Sequence, residues 1–305
     1  MRILSWLHNC PRYLAFWVLA DVIYFFFIYL FLGTGIPLSL SQFIIVHLLG
    51  IAVGTMVMFA GLGGGVLWIP VLTFLDIRPS DAVAISIFTQ IAGKGTGSLT
   101  YLFNGMVDME KTKSFIPMAL LGVTLGFLAG FFTPVAYERF LLYIFLLIAG
   151  YLLMRTIQSL NTQDSETEKK IPIDTIPIDT IPNLRQSYPV VILSSFFTGL
   201  LSIGNTDWLI PHMTLKLNME TSRAVATSLF IMFVTILFYL VLVCISVWVG
   251  NASWPHGTSL LFATCSGVIM GGQIGTRLIR IPWLKRHQKH TFIILLAMSI
   301  IHLIW

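Results

Sequence analysis

Three ionisable side chains, Asp21, Lys94 and Asp207, sit in stretches of sequence that are otherwise apolar. If those stretches cross a membrane, each charge costs about 2.5–3.5 kcal/mol at the helix centre, so each needs a partner or a purpose. Lys94 belongs to a pattern. Ser86, Gln90, Lys94 and Ser98 stand four residues apart, which on a helix over 82–103 gathers them into one polar stripe. Gly93 and Gly95 flank the lysine and thin the helix there, so a ligand or another backbone can come close. A buried ammonium in such a stripe calls for an anionic substrate or for an internal carboxylate, and both readings fit. The string GKGT is no phosphate-binding loop, because Phe88 stands where the required leading glycine would be and no strand precedes it.

Two chain breaks supply what a lysine alone cannot. In GLGGGVLWIP at 61–70, Gly63, Gly64 and Gly65 open a short apolar run, 63–75, that contains Pro70. A half-helix starting there points free N–H groups and its positive dipole end at the break, a natural anion contact. The second break, IGNTDWLIP at 203–211, opens the short run 207–217 with Pro211; Asn205 and Thr206 can donate hydrogen bonds from it. Asp207 would repel an anion unless protonated or paired. Burial favours the neutral acid and a nearby Lys94 favours the carboxylate, so a proton as coupling ion and a fixed ion pair both stand open. His47 and His212 have no accompanying nucleophile motif and are expected as satisfied core residues rather than as parts of an enzyme. Cys10, Cys244 and Cys265 form neither a disulfide framework nor a metal-ligand spacing, so no metal or cofactor is expected.

The elements that position these residues follow from composition. Of 305 residues only 10% are charged, against ~25% in soluble proteins, while 56% are apolar and the mean hydropathy is +0.87. The solvent of such a chain is a bilayer. A first run at 13–32 spans about 30 Å as a helix, too long for a secretory signal, and is expected as a retained transmembrane helix. Further runs lie at 41–60, 82–104, 114–133, 137–154, 189–203, 224–249, 258–279 and 291–305, besides the two short ones. With the N-terminus inside and each short run folded back as a hairpin, all of the 18 Lys and Arg fall in cytoplasmic segments except Arg78, Arg139 and the intramembrane Lys94. The net charge of +5 then reads as anchoring against anionic lipid, and the basic cluster at 277–289 does not imply nucleic acid. His287 and His290 in that loop are expected to be solvated.

The two halves repeat. AVAISIF at 82–88 returns as AVATSLF at 224–230, WIP ending at Pro70 as LIP ending at Pro211, and GVTLG at 122–126 as GVIMG at 267–271. Each copy holds a hairpin and three spans, an odd number of crossings, so the second copy must be inverted. The expected fold is all-α: a polytopic transmembrane protein of two inverted repeats, each a broken helical hairpin plus three spans, preceded by one extra N-terminal helix. Its segments are 1–40, a first repeat at 41–156, a cytoplasmic linker at 157–188 and a second repeat at 189–305. The linker carries a tandem IPIDT whose prolines exclude a helix. Gly122, Gly126 and Gly130, and again Gly267, Gly271 and Gly275, recur every fourth residue and are expected to allow close helix packing.

The glycine motif at 61–70, AVAISIF, NGMVD at 104–108 and the Gly-x3-Gly helices together resemble the TauE/SafE sulfite exporter family over about 41–305. The second break departs from that pattern, with Asn205, Thr206 and Asp207 where glycines are expected. The resemblance implies a secondary transporter of small sulfur-containing anions, such as sulfite or sulfonates, across the inner membrane, with export favoured over uptake. Its partners would be the anion, membrane lipids and, as one candidate coupling ion, the proton. Rival readings are an anion channel of similar fold and an intramembrane enzyme. The oligomeric state is not legible.

Overall fold

The computed structural model describes residues 40–60, 64–74, 79–132, 184–203, 205–250 and 258–278, with isolated positions between 140 and 154 and at 294 and 297. The expected helix at 13–32 with Asp21, Gly63, the IPIDT linker and, but for positions 294 and 297, the final run lie outside the described residues. Among the described residues, eight α-helices with defined bounds follow one another: α1 Leu40–Ala60, α2 Gly64–Phe74, α3 Pro79–Phe103, α4 Met109–Phe131, α5 Tyr188–Leu201, α6 Asn205–Lys216, α7 Thr221–Trp248 and α8 Thr258–Leu278. Every described apolar run is a helix, and no strand occurs among the described residues.

Length separates two classes of helix. At about 1.5 Å per residue, α2 and α6 extend about 17 Å, roughly half of a ~30 Å hydrocarbon core, whereas α3, α4 and α7 have the length to cross it. By length and composition, α4 and the Ser222–Trp248 part of α7 qualify as membrane spans. The polar stripe of α3 dilutes its hydropathy, which is why a helix of 25 residues does not stand beside them. Local chemistry sets the ends. Asp108 caps α4 by accepting a hydrogen bond from the Lys111 N–H at 3.2 Å. A 3-10 turn at Leu184–Ser187 and a proline in the first turn start α5, which stops where Ser202 turns left-handed at φ 60°.

The helices of the two halves interlock. Among the described helices, α1 packs along α8, and α5 along α4. Glycines make this possible. A Cβ on Gly122 or Gly126 of α4 would overlap the carbonyl oxygen of Ile192 or Phe196 on α5, and one on Gly199 would come within 2.5 Å of the Val123 carbonyl. Across the other pair, a Cβ on Gly267 or Gly271 would overlap the carbonyls of His47 or Ile51, and one on Gly54 would approach Val268 Cα at 2.8 Å. The expected packing role of the Gly-x3-Gly faces is therefore what these contacts show. α3 and α7 pack against each other.

The distribution of polarity is the reverse of a soluble protein. Leu121, Leu125 and Leu128 of α4, Ile44, Ile45 and Leu48 of α1 and Val241, Ile245 and Trp248 of α7 are exposed, while Ser86, Gln90, Lys94 and Ser98 are buried. Apolar exteriors of that extent suit acyl chains, and they leave the polar groups to meet one another inside. Between stripe and exterior lie clusters such as Phe115, Ala119, Val191, Leu209, Met213 and Ile231, which weld α4 and α5 to α6 and α7.

Candidate functional site

The stripe on α3 runs down the middle of the bundle. Lys94 has no exposed surface, and among the described residues the atoms within hydrogen-bonding reach of its Nζ are Gln90 Oε1 at 2.6 Å and Met232 Sδ at 2.8 Å. Both are neutral. Asp207, in the first turn of α6, is buried and lies near enough to act on the ammonium electrostatically.

Gln90 is the hub. Its Oε1 also accepts from the backbone N–H of Gly64, the first residue of α2, at 3.1 Å. Its Nε2 donates to Ser202 Oγ at 2.7 Å and to Ser86 Oγ at 3.2 Å, and the two serine hydroxyls lie 3.0 Å apart. The carboxamide orientation follows from its neighbours, since Gly64 N–H and Lys94 can only donate whereas the hydroxyls can accept. Gly64 is small for a reason visible here: a Cβ would fall 2.5 Å from Gln90 Cγ. One on Gly65 would overlap the Ser202 carbonyl oxygen. The missing side chains thus admit a glutamine from α3 and the end of α5 to the first turn of α2.

The second break meets the same centre. The Asn205 N–H donates to Thr198 Oγ1 at 3.1 Å, and Asn205 Nδ2 to Thr235 Oγ1 at 3.4 Å, while Asn205 Oδ1 is buried without a hydrogen-bond partner among the described residues. Thr206 Oγ1 faces Met232 Sδ at 3.8 Å. The N-termini of both half-helices therefore converge on Lys94, one through Gln90 and the other through Met232. A narrow cavity of about 10 Å³, room for one water molecule, borders Lys94, Gln90 and Thr89 and is walled by Gly54, Gly93 and Val268.

The sequence-derived site residues Gly64, Gly65, Ser86, Gln90, Lys94, Asn205, Thr206 and Asp207 thus come together; Gly63 lies outside the described residues. Sequence reasoning missed Ser202, Met232, Thr198 and Thr235. Met232 had a signal: the 142-residue offset that aligns AVAISIF with AVATSLF places it opposite Gln90. His47 bonds to Ser266 Oγ at 2.7 Å and His212 to Ser187 Oγ at 2.8 Å, as expected of satisfied histidines remote from the stripe.

A profile of the sulfite exporter TauE/SafE family matches residues 46–303. The chain is also similar to the "Probable membrane transporter protein YunE" of Bacillus subtilis (strain 168), with 25% identity over 254 residues that cover 78% of this chain and 89% of that protein. No solved structure matches it. A buried lysine between two half-helices, an apolar exterior and a profile match over most of the length lead to one assignment: the chain belongs to the TauE/SafE family of transmembrane transporters.

Proposed function

We propose that the protein is a secondary transporter of small sulfur-containing anions, sulfite, sulfonates or related organic anions, across the inner membrane, working in export. The observation that carries this reading is Lys94, a wholly buried ammonium whose hydrogen-bond acceptors are neutral, set between the N-termini of α2 and α6. A buried cation whose hydrogen bonds among the described residues go to neutral groups is costly even with Asp207 acting on it from the first turn of α6, and a visiting anion offsets part of that cost where an apolar or neutral solute would not. The half-helix dipoles add to the attraction, each by up to ~1–2 kcal/mol in a partly buried setting. Gly63, Gly64, Gly65, Ser86, Gln90, Lys94, Asn205 and Thr206 form the substrate site, and Asp207 couples transport to a second ion, with the proton as first candidate.

The architecture belongs to the same proposal. Two inverted repeats at 41–156 and 189–305 follow an N-terminal segment at 1–40 and are joined by a cytoplasmic linker at 157–188, with the N-terminus cytoplasmic. The exchange of partners between α1–α8 and α4–α5 supports it, since a two-fold relation between halves generates that reciprocity. The test is flux in proteoliposomes of the purified full chain, with sulfite, thiosulfate, methanesulfonate and acetate, with and without a pH gradient. Saturable, gradient-driven sulfite flux is expected. Flux that never saturates would instead mark a channel, and transport of acetate in preference to all sulfur anions would sink the substrate class.

A further inference from the structure

Gln90 Oε1 occupies the one point where the Gly64 N–H and the Lys94 ammonium converge, at 3.1 and 2.6 Å. Those are the two donors that the anion reading gives to a substrate oxygen. We propose that the Gln90 carboxamide oxygen is an internal stand-in for the anion: substrate binds by displacing it, and substrate leaves as it returns.

The chemistry of a neutral amide suits this role. Hydrogen bonds to an ionised oxygen are roughly twice as strong as those to a neutral one, so a charged substrate oxygen outcompetes Oε1 for both donors. When substrate departs, the amide recaptures them, so neither the helix N-terminus nor the ammonium is left unpaired in a medium where that is expensive. The withdrawal needs no movement of α3. Nε2 is tethered to Ser202 Oγ and Ser86 Oγ, and the carboxamide turns about that anchor. Gly64 is required because the glutamine stem fills the space of its Cβ. A glutamate here would be a tethered, permanent anion, too strong an acceptor to displace.

This inference rests on the anion reading of the Lys94 site, and the experiment separates the two. The full chain in detergent is titrated with sulfite by calorimetry, with folding of each variant checked by gel filtration and thermal unfolding. Gln90→Ala removes the competitor and is expected to bind sulfite at least threefold more tightly. Gln90→Glu, which keeps the shape and folds if the alanine variant does not, is expected to bind at least tenfold more weakly while unfolding at a higher temperature without sulfite. Weaker binding by a folded Gln90→Ala, or unchanged binding by Gln90→Glu, overturns the stand-in. Sulfite binding retained by a folded Lys94→Met removes the anion site itself and the stand-in with it.

Discussion

Replacing Gly126 by alanine probes the interlock of the two halves at its tightest point. The added methyl would overlap the Phe196 carbonyl oxygen and lie 2.9 Å from the Phe196 carbonyl carbon and 3.0 Å from the Leu200 nitrogen. These are backbone atoms of α5 and cannot rotate away. Ordinary Cβ contacts begin near 3.4 Å, so α4 and α5 must part by about 1 Å, and a gap of that size forfeits a quarter to a half of each dispersion contact along the seam. Overpacking of this kind costs about 1–3 kcal/mol, against a helix-propensity gain of up to ~1 kcal/mol for alanine over glycine. Gly130, one turn on in the same stripe, meets only the flexible Leu200 Cδ1 at 3.6 Å, an ordinary contact. There the propensity gain dominates. The propensity gain is common to both variants, so they should differ by the overpacking cost, about 1–3 kcal/mol, or roughly 2–6 °C in unfolding midpoint for a chain of this size, with Gly126→Ala below wild type and Gly130→Ala at or above it. Tryptophan fluorescence of the purified protein in detergent reads this directly. Equal midpoints, or a more stable Gly126→Ala, would refute the close α4–α5 seam.

Two further outcomes follow from charge. The Asp108 carboxyl lies below its ordinary range because, although burial pushes it up, hydrogen bonds from the Lys111 ammonium and N–H and the charges of Lys111 and Arg223 outweigh that push. Its contribution is present above the unfolded carboxylate value near ~3.9 and is lost as pH falls through the folded one; Asp108→Ala should cost about 1 kcal/mol at pH 7, with the deficit shrinking below about pH 4, and chemical unfolding against pH checks both. In a cysteine-free background, cysteines placed at Ser165 and Lys285 should be shielded from an impermeant external thiol reagent in intact cells while one at Ser253 reacts. Labelling of positions 165 and 253 from one side contradicts the inverted topology.

The helices were legible because the bilayer leaves the chain few options: an apolar run must be helical, and every described run is. The two short helices were legible from the length of their apolar runs and from the glycines that open α2, although both helices run on through the prolines, Pro70 and Pro211, that the runs contain. The stripe on α3 followed from four-residue spacing, as did the glycine faces. What could not be read is which protein group fills a space that a glycine leaves open. Gly64 and Gly65 looked like an approach for a ligand, and the structure places the Gln90 stem and the Ser202 carbonyl there, a contact between residues far apart in sequence. Ser202 carried little signal, since a buried serine in left-handed conformation is imposed by the end of α5 rather than by its own propensity. Met232 was hidden by chemistry, because a methionine on an apolar helix reads as core until its repeat partner, Gln90, is seen to bond the same lysine.

Sulfite flux into proteoliposomes bearing Lys94→Met tests the central claim most directly. Methionine retains the unbranched stem and volume of lysine and removes only the charge. The account predicts a folded variant whose saturable sulfite flux falls at least a hundredfold, with only a small part returned by Lys94→Arg, whose planar guanidinium does not fit a point between Gln90 Oε1 and Met232 Sδ. A folded Lys94→Met protein that carries sulfite within a few-fold of the wild-type rate would contradict it, and would leave Lys94 as no more than the counter-charge of Asp207.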